Sequence, residues 1–194
     1  MITKIGVTLS LAILFAPPCF AQDAASQKFL KEAIEGNLAE VQMGQLAKKQ
    51  ASSDGVRSFG EMLEKDHSAA NQKATAAATS LGMTPPTSPN KKQTADYDKM
   101  SKLSGAQFDK MFVSHMVADH RKDIKDYEKA GKKKDAAGSY ATDTLPTLRK
   151  HLEMAQSLSA GKTASPGANP SAVIAVPAPA TGCPSSEILR QEAS

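Results

Sequence analysis

Residues 113–127 read Val-Ser-His-Met-Val-Ala-Asp-His-Arg-Lys-Asp-Ile-Lys-Asp-Tyr, and their spacing decides the fold. At about 100° of rotation per residue, Val113, Met116, Val117, Ile124 and Tyr127 fall on one face, and charged residues occupy the other. That pattern is an amphipathic helix, since a half-buried strand would alternate every second residue. His120 stands at the centre of the apolar stripe. A helix with one apolar face needs partners to bury it, so the neighbouring segments carry the next step.

The stripe belongs to a helical segment of about 106–130, which Gly131 ends. Upstream, a segment of about 24–51 is followed by Ser52-Ser53-Asp54-Gly55, which supplies turn and helix-capping chemistry, and by a segment of about 56–81 that Gly82 stops. Downstream, a fourth segment starts between Asp135 and Tyr140 and runs to about Ser159. Pro146 lies inside it and removes a backbone hydrogen bond, so a kink is expected there in preference to a new helix start. The link between the second and third segments carries Pro85, Pro86 and Pro89 and a short helix near 95–103. At 1.5 Å per residue the long helices each span roughly 40 Å, a height that such a link can run. Two short turns and one long link predict an all-α chain: a ferritin-like antiparallel four-helix bundle with a long crossover between its second and third helices.

The ends read differently. Lys4, the apolar run 5–16 and the break at Pro17-Pro18-Cys19-Phe20-Ala21 describe a signal peptide, residues 1–21. The run is short of the roughly 20 apolar residues that a membrane span needs. Pro17 and Pro18 stand where lipid attachment at Cys19 wants small residues, so no lipid anchor is expected. The expected location is periplasmic or secreted, with no transmembrane segment after cleavage, and Cys183 is left as the one cysteine of the mature chain. With no internal disulfide, the fold rests on its core or on a bound ligand. The bundle is assigned to residues 22–160. From 161 to 194, Pro166, Gly167, Pro170, Pro177, Pro179 and Pro184 among Ala and Ser describe a flexible tail. The 24 Lys and Arg against 20 Asp and Glu leave a net charge of only +4, scattered along the chain. Together with export, that speaks against nucleic acid as a partner; the alternative to metal binding is a non-enzymatic envelope or stress-related protein, whose partner would be an envelope protein or cell-wall material.

The four stripes hold the chemistry. In the first segment Phe29, Ala33, Met43, Gly44, Ala47 and Ala51 surround Glu40. In the second Val56, Gly60, Leu63, Ala70, Ala74 and Leu81 surround His67, and in the fourth Thr144, Leu148, Ala155 and Leu158 surround His151. With His120, each helix places one ligating side chain where a bundle is driest, and all four lie near mid-helix. Imidazole and carboxylate groups bind zinc, manganese or iron, and three histidines with one glutamate can enclose a single divalent ion. The same four can also form a metal-free buried network in which Glu40 accepts hydrogen bonds from histidines. Asp66 and Asp119, each preceding a core histidine, are candidates to orient an imidazole. Glu64, three residues before His67, is a candidate additional ligand. His115 projects away from its stripe, and the methionines are too dispersed for thioether capture of copper. No Gly-x-Ser-x-Gly, His-Glu-x-x-His or phosphate-binding glycine loop is present, so no residue is assigned to catalysis.

Glu40-Val41-Gln42-Met43-Gly44, Phe59 through Lys65-Asp66-His67, Phe108-Asp109 through His120, and Leu145-Pro146-Thr147-Leu148 through His151-Leu152 together resemble an exported bacterial family. It is the ferritin-like group catalogued as domain of unknown function 4142, and the resemblance spans roughly residues 29–158. It implies the ferritin-like fold and marks Glu40, His67, His120 and His151, but it brings no activity. Leu148 stands where a second Glu-x-x-His would need glutamate, and the third segment has no glutamate on its core face. A mononuclear site therefore suits these residues better than a di-iron centre.

Overall fold

The computed structural model describes residues 23–161, so the expected signal peptide (1–21) and the expected tail from residue 162 onward lie outside the described residues. Among the described residues five helices fold: α1 (Ala24–Gln50), α2 (Asp54–Ser80), α3 (Lys91–Met100), α4 (Gly105–Ala130) and α5 (Ala136–Ser159). No strand occurs among the described residues. None of these helices is long and apolar enough to cross a membrane.

Local chemistry sets the boundaries. The side chains of Asp23, Ser53 and Asp135 accept backbone N–H groups at the starts of α1, α2 and α5. Asn90 and Gln93 form a reciprocal capping box at the start of α3. That cap draws the short helix to Lys91–Met100, earlier than the expected 95–103. α5 runs without a break across Pro146. The proline costs one backbone hydrogen bond, yet Ala141, Thr144, Leu148 and His151 are buried on both sides of it and hold the helix in place.

α1 packs along α2 and α4 along α5, while α2 also contacts α5 and α1 contacts α4; α3 lies against α1 and α4. Both ends are tied by polar contacts. Asp109 on α4 accepts from Ser52 N, Ser52 Oγ and Ser53 N at 3.0, 2.6 and 2.9 Å, fixing the α1–α2 turn. At the opposite end, Ser26 donates to Asp135 and Lys133 pairs with Asp23.

The core has two apolar halves. One gathers Met43, Leu63, Phe59, Phe108, Phe112, Met116 and Ala155. The other gathers Leu30, Ile34, Ala74, Tyr127, Tyr140 and Leu148. Along each long helix the change from one half to the other is made by a buried polar residue. Asn37 and Glu40 lie between Ile34 and Met43 on α1, and His67 lies between Leu63 and Ala74 on α2. His120 lies between Met116 and Tyr127 on α4, and His151 between Leu148 and Ala155 on α5. Each of the five is at most 4% exposed. A polar layer therefore crosses the interior between two hydrophobic blocks, where every unpaired group is costly.

Candidate metal centre

His67, His120 and His151 each offer one ring nitrogen, and these nitrogens all lie within 4.8 Å of one another. Their ring centroids are 5.2, 5.3 and 5.7 Å apart. The remaining nitrogen of each ring is anchored, and the anchors fix the tautomers. His120 Nδ1 lies 3.0 Å from the Met116 carbonyl, which can only accept, so Nδ1 carries the hydrogen and Nε2 keeps its lone pair. Asn37 donates its amide to Tyr140 Oη at 3.0 Å, which turns its oxygen toward His67 Nδ1 at 2.9 Å. His67 therefore donates from Nδ1, and its buried Nε2 has no hydrogen-bond partner. His151 Nε2 donates to Asp66 Oδ2 at 3.0 Å, which leaves Nδ1 facing His120 Nε2 at 3.3 Å.

This last contact sets two lone pairs against each other unless a proton or a cation lies between them. Protonation is disfavoured. Burial holds His67 well below the usual histidine range, and its neighbours His151 and His120 add to the effect. Burial, then His151, brings His120 down to about 3, against a smaller raising effect from the Met116 carbonyl. His151 is also lowered by burial, although the hydrogen bond to Asp66 opposes that shift. Three neutral imidazoles with converging lone pairs, each braced from behind by an acceptor, are a donor set suited to zinc, iron or copper.

The residues expected from sequence divide. His67, His120 and His151 come together, whereas Glu40 stands outside their group. Asn37, one turn earlier on α1, takes the position opposite His67. The Glu40 carboxyl is 3% exposed, and its Oε2 lacks a hydrogen-bond partner. Burial first, and then Asp119 and Asp123, push it well above the usual carboxylate range. Glu64 is engaged elsewhere, accepting from Gln45 at 3.0 Å and Lys48 at 2.9 Å. Asp66 supports an imidazole, but it is that of His151 across the interface and not that of its chain neighbour His67. Asp119 faces a cavity instead.

That cavity, of ≈ 330 Å³, lies among α1, α3 and α4 and reaches His67 and Asn37 at its wall. Glu32, Asp119, Asp123 and Asp126 contribute carboxylates, and Lys92 and Lys122 contribute amines. The Asp123 carboxyl is pushed up to about 7, by burial first and then by Asp119. Its folded pKa is thus raised above the unfolded 3.8, so the folded state is penalised as pH climbs between these values, and the penalty vanishes in acid. Asp123→Asn is expected to stabilise the protein by roughly 2 kcal/mol at pH 8, a figure reduced for partial exposure, and to lose the advantage near pH 4. Denaturant unfolding at the two pH values measures this difference, and an equal effect at both would overturn the assignment.

The sequence did not mark Asn37 or Tyr140 as site residues, and it placed Tyr127 only on the apolar stripe of α4. Tyr127 and Tyr140 lie 3.1 Å apart through their hydroxyls, so a hydrogen-bonded chain runs from His67 through Asn37 to the two tyrosines. One signal was available for Asn37: it falls four residues after Ala33 and seven before Gly44, within the α1 stripe.

The family described as "Domain of unknown function (DUF4142)" matches residues 16–158. No curated protein matches the sequence significantly. Among solved structures, the chain is similar to a DUF305 fragment from Deinococcus radiodurans, with a TM-score of 0.63 at 12% identity, covering 71% of this chain and 97% of that one. It is also similar to a putative secreted DUF305 protein from Streptomyces coelicolor, with a TM-score of 0.61 at 14% identity, covering 77% of this chain and 100% of that one. At such identities the likeness concerns the fold alone.

Proposed function

The chain belongs to the family described as domain of unknown function 4142, whose description assigns no activity, and from the site itself we propose that it binds one divalent metal ion in the cell envelope. The ligands are His67 through Nε2, His120 through Nε2 and His151 through Nδ1. The scaffold is read as a ferritin-like antiparallel four-helix bundle, with α3 in the long crossover. The segment 1–21 directs export to the periplasm or the exterior, and an envelope protein or cell-wall material is the expected partner.

The observation that carries this reading is the approach of one ring nitrogen from each of three histidines to within 4.8 Å of the others, in a layer where burial keeps the rings neutral. A metal-free network does not serve the site as well, because it leaves His67 Nε2 without a partner and one His120–His151 lone-pair contact unrelieved. Zinc is the first choice among zinc, manganese and iron, since an all-imidazole donor set suits it and manganese prefers oxygen. Three ligands on a four-coordinate ion leave one position for water, as in open zinc sites. Glu40 and Asp119 lie beyond the ligands in this reading. Asp66, Asn37 and the Met116 carbonyl orient the rings.

Elemental analysis of protein purified from its native compartment, without chelator or affinity metal, is expected to give about one equivalent of metal. Adding metal at a hundredfold excess over its Kd should raise stability by about 2.7 kcal/mol, reversibly with chelator. Absence of metal, with a Tm that zinc, manganese, iron and copper all leave unchanged, would sink the proposal.

A further inference from the structure

The cavity among α1, α3 and α4 does more than adjoin the histidines. Its wall grades from exposed carboxylates to buried donors. Glu32 and Asp126 keep about half of their side chains in solvent, at 56% and 49%, whereas Asn37 and His67 at depth are only 3% and 4% exposed. Both amines on the wall are already engaged by acids, Lys92 with Asp96 at 2.8 Å and Lys122 with Asp126 at 2.9 Å. The four wall carboxylates outnumber them, so the wall is net acidic. Among the described residues, the one imidazole on the wall is His67, whose Nε2 is buried and unpartnered.

We infer that this cavity is the route by which a hydrated divalent cation reaches the three histidines. The inference rests on the metal-binding reading and adds the direction of approach. Carboxylates at the mouth concentrate a cation and accept hydrogen bonds from its water shell as that shell is shed. At the inner end, the imidazoles replace the lost waters. The Asp66 edge is the competing approach, but there His151 presents Nε2–H to the carboxylate and has no lone pair to offer. Above and below the polar layer, the two hydrophobic blocks close the interior to a charged species.

Gly36 gives the means of testing this. It lines the cavity, and a Cβ built there meets only Gln93 Nε2, at 3.9 Å, so a larger side chain can project into the space. Cobalt(II) loading, followed by stopped-flow absorbance and by chelator-driven release, reads both directions of passage. Gly36→Leu is expected to slow association and dissociation by the same factor, about tenfold, and to leave affinity nearly unchanged, because an obstructed route delays entering and leaving alike. The double variant Glu32→Gln/Asp126→Asn should lower the association rate several-fold at low salt and flatten its salt dependence. If Gly36→Leu fails to fold, the double variant carries the test alone. Wild-type rates in whichever of these variants fold would overturn the route and leave the metal site standing. Failure of the wild type to take up cobalt(II), zinc(II) or copper(II) would instead overturn the metal reading from which the route follows.

Discussion

Replacing His120 with leucine is expected to lower metal affinity by more than a hundredfold and yet to make the metal-free protein more resistant to acid. The first effect follows from losing one of three ligands, since even the groups that orient ligands contribute 10–100-fold. The second follows from proton linkage. His120 is held at about 3 in the fold, against 6.5 when exposed. A histidine whose folded pKa is depressed contributes stability that is fully present above the unfolded pKa, and this is lost as pH falls through the interval toward the folded value. The wild-type metal-free protein therefore gives up stability from about pH 6.5 downward, on the order of 5 kcal/mol from this group by the time pH nears 3. His120→Leu removes that dependence, so near pH 4 and with chelator present it should exceed the wild type by roughly 3 kcal/mol. At pH 8 the two metal-free proteins should lie within about 1 kcal/mol, because an apolar side chain of similar size replaces a ring whose Nε2 faces another lone pair. Parallel denaturant curves at pH 4 and pH 8, with and without metal, separate these effects. A variant that binds metal like the wild type, or that shows the same acid slope, would remove His120 from the centre.

The histidines were legible because a helix repeats every 3.6 residues, and a polar residue inside a long apolar stripe is conspicuous by angle alone. The same arithmetic also placed Glu40 on the buried side of α1, and burial is where the structure has it. It could not decide which way that side chain leans. Asn37 and Glu40 are three residues apart on one face, and one of them meets His67 while the other lies toward Asp119 and Asp123. That choice depends on how α1 is rotated between α2 and α4, which is a property of the packing. The partnership of Asp66 with His151 was hidden for a related reason. It joins α2 to α5 across 85 residues of chain, and the adjacent position of His67 suggested a nearer partner. α3 was misplaced by several residues because its start is fixed by the Asn90–Gln93 capping box and not by an apolar face, of which only Met100 is buried. The cavity had no sequence signature, since it is bounded by side chains from four helices.

Two glycines of α1 should respond to alanine in opposite directions, and the contrast tests what holds His67 against Asn37. A Cβ at Gly44 would meet the Gly60 carbonyl oxygen at 2.5 Å and Glu64 N at 2.9 Å, both backbone atoms of α2. Gly60 is reciprocally blocked, with the Ala47 Cβ at 2.7 Å and the Gly44 carbonyl oxygen at 2.8 Å. Backbone atoms cannot rotate away as a flexible side chain can, so Gly44→Ala must push α1 and α2 apart. Overpacking of that kind costs about 3 kcal/mol, the upper end for a single insertion. Helix propensity returns at most about 1 kcal/mol. The displacement also reaches the site: Asn37 lies seven residues before Gly44 and His67 seven residues after Gly60. Two turns from the close contact on either helix, the 2.9 Å Asn37–His67 bond that fixes the His67 tautomer depends on the same interhelical spacing. Gly44→Ala should therefore weaken metal binding about tenfold, beyond its cost in stability, as expected when a group that orients a ligand is moved. Gly36→Ala lies on the same helix but meets only Gln93 Nε2, at an ordinary contact distance of 3.9 Å, and should gain up to about 1 kcal/mol with metal affinity unchanged. Thermal unfolding and zinc titration of both variants give the comparison. If Gly44→Ala is as well tolerated as Gly36→Ala, the close helix contact does not set the spacing on which the His67 tautomer depends.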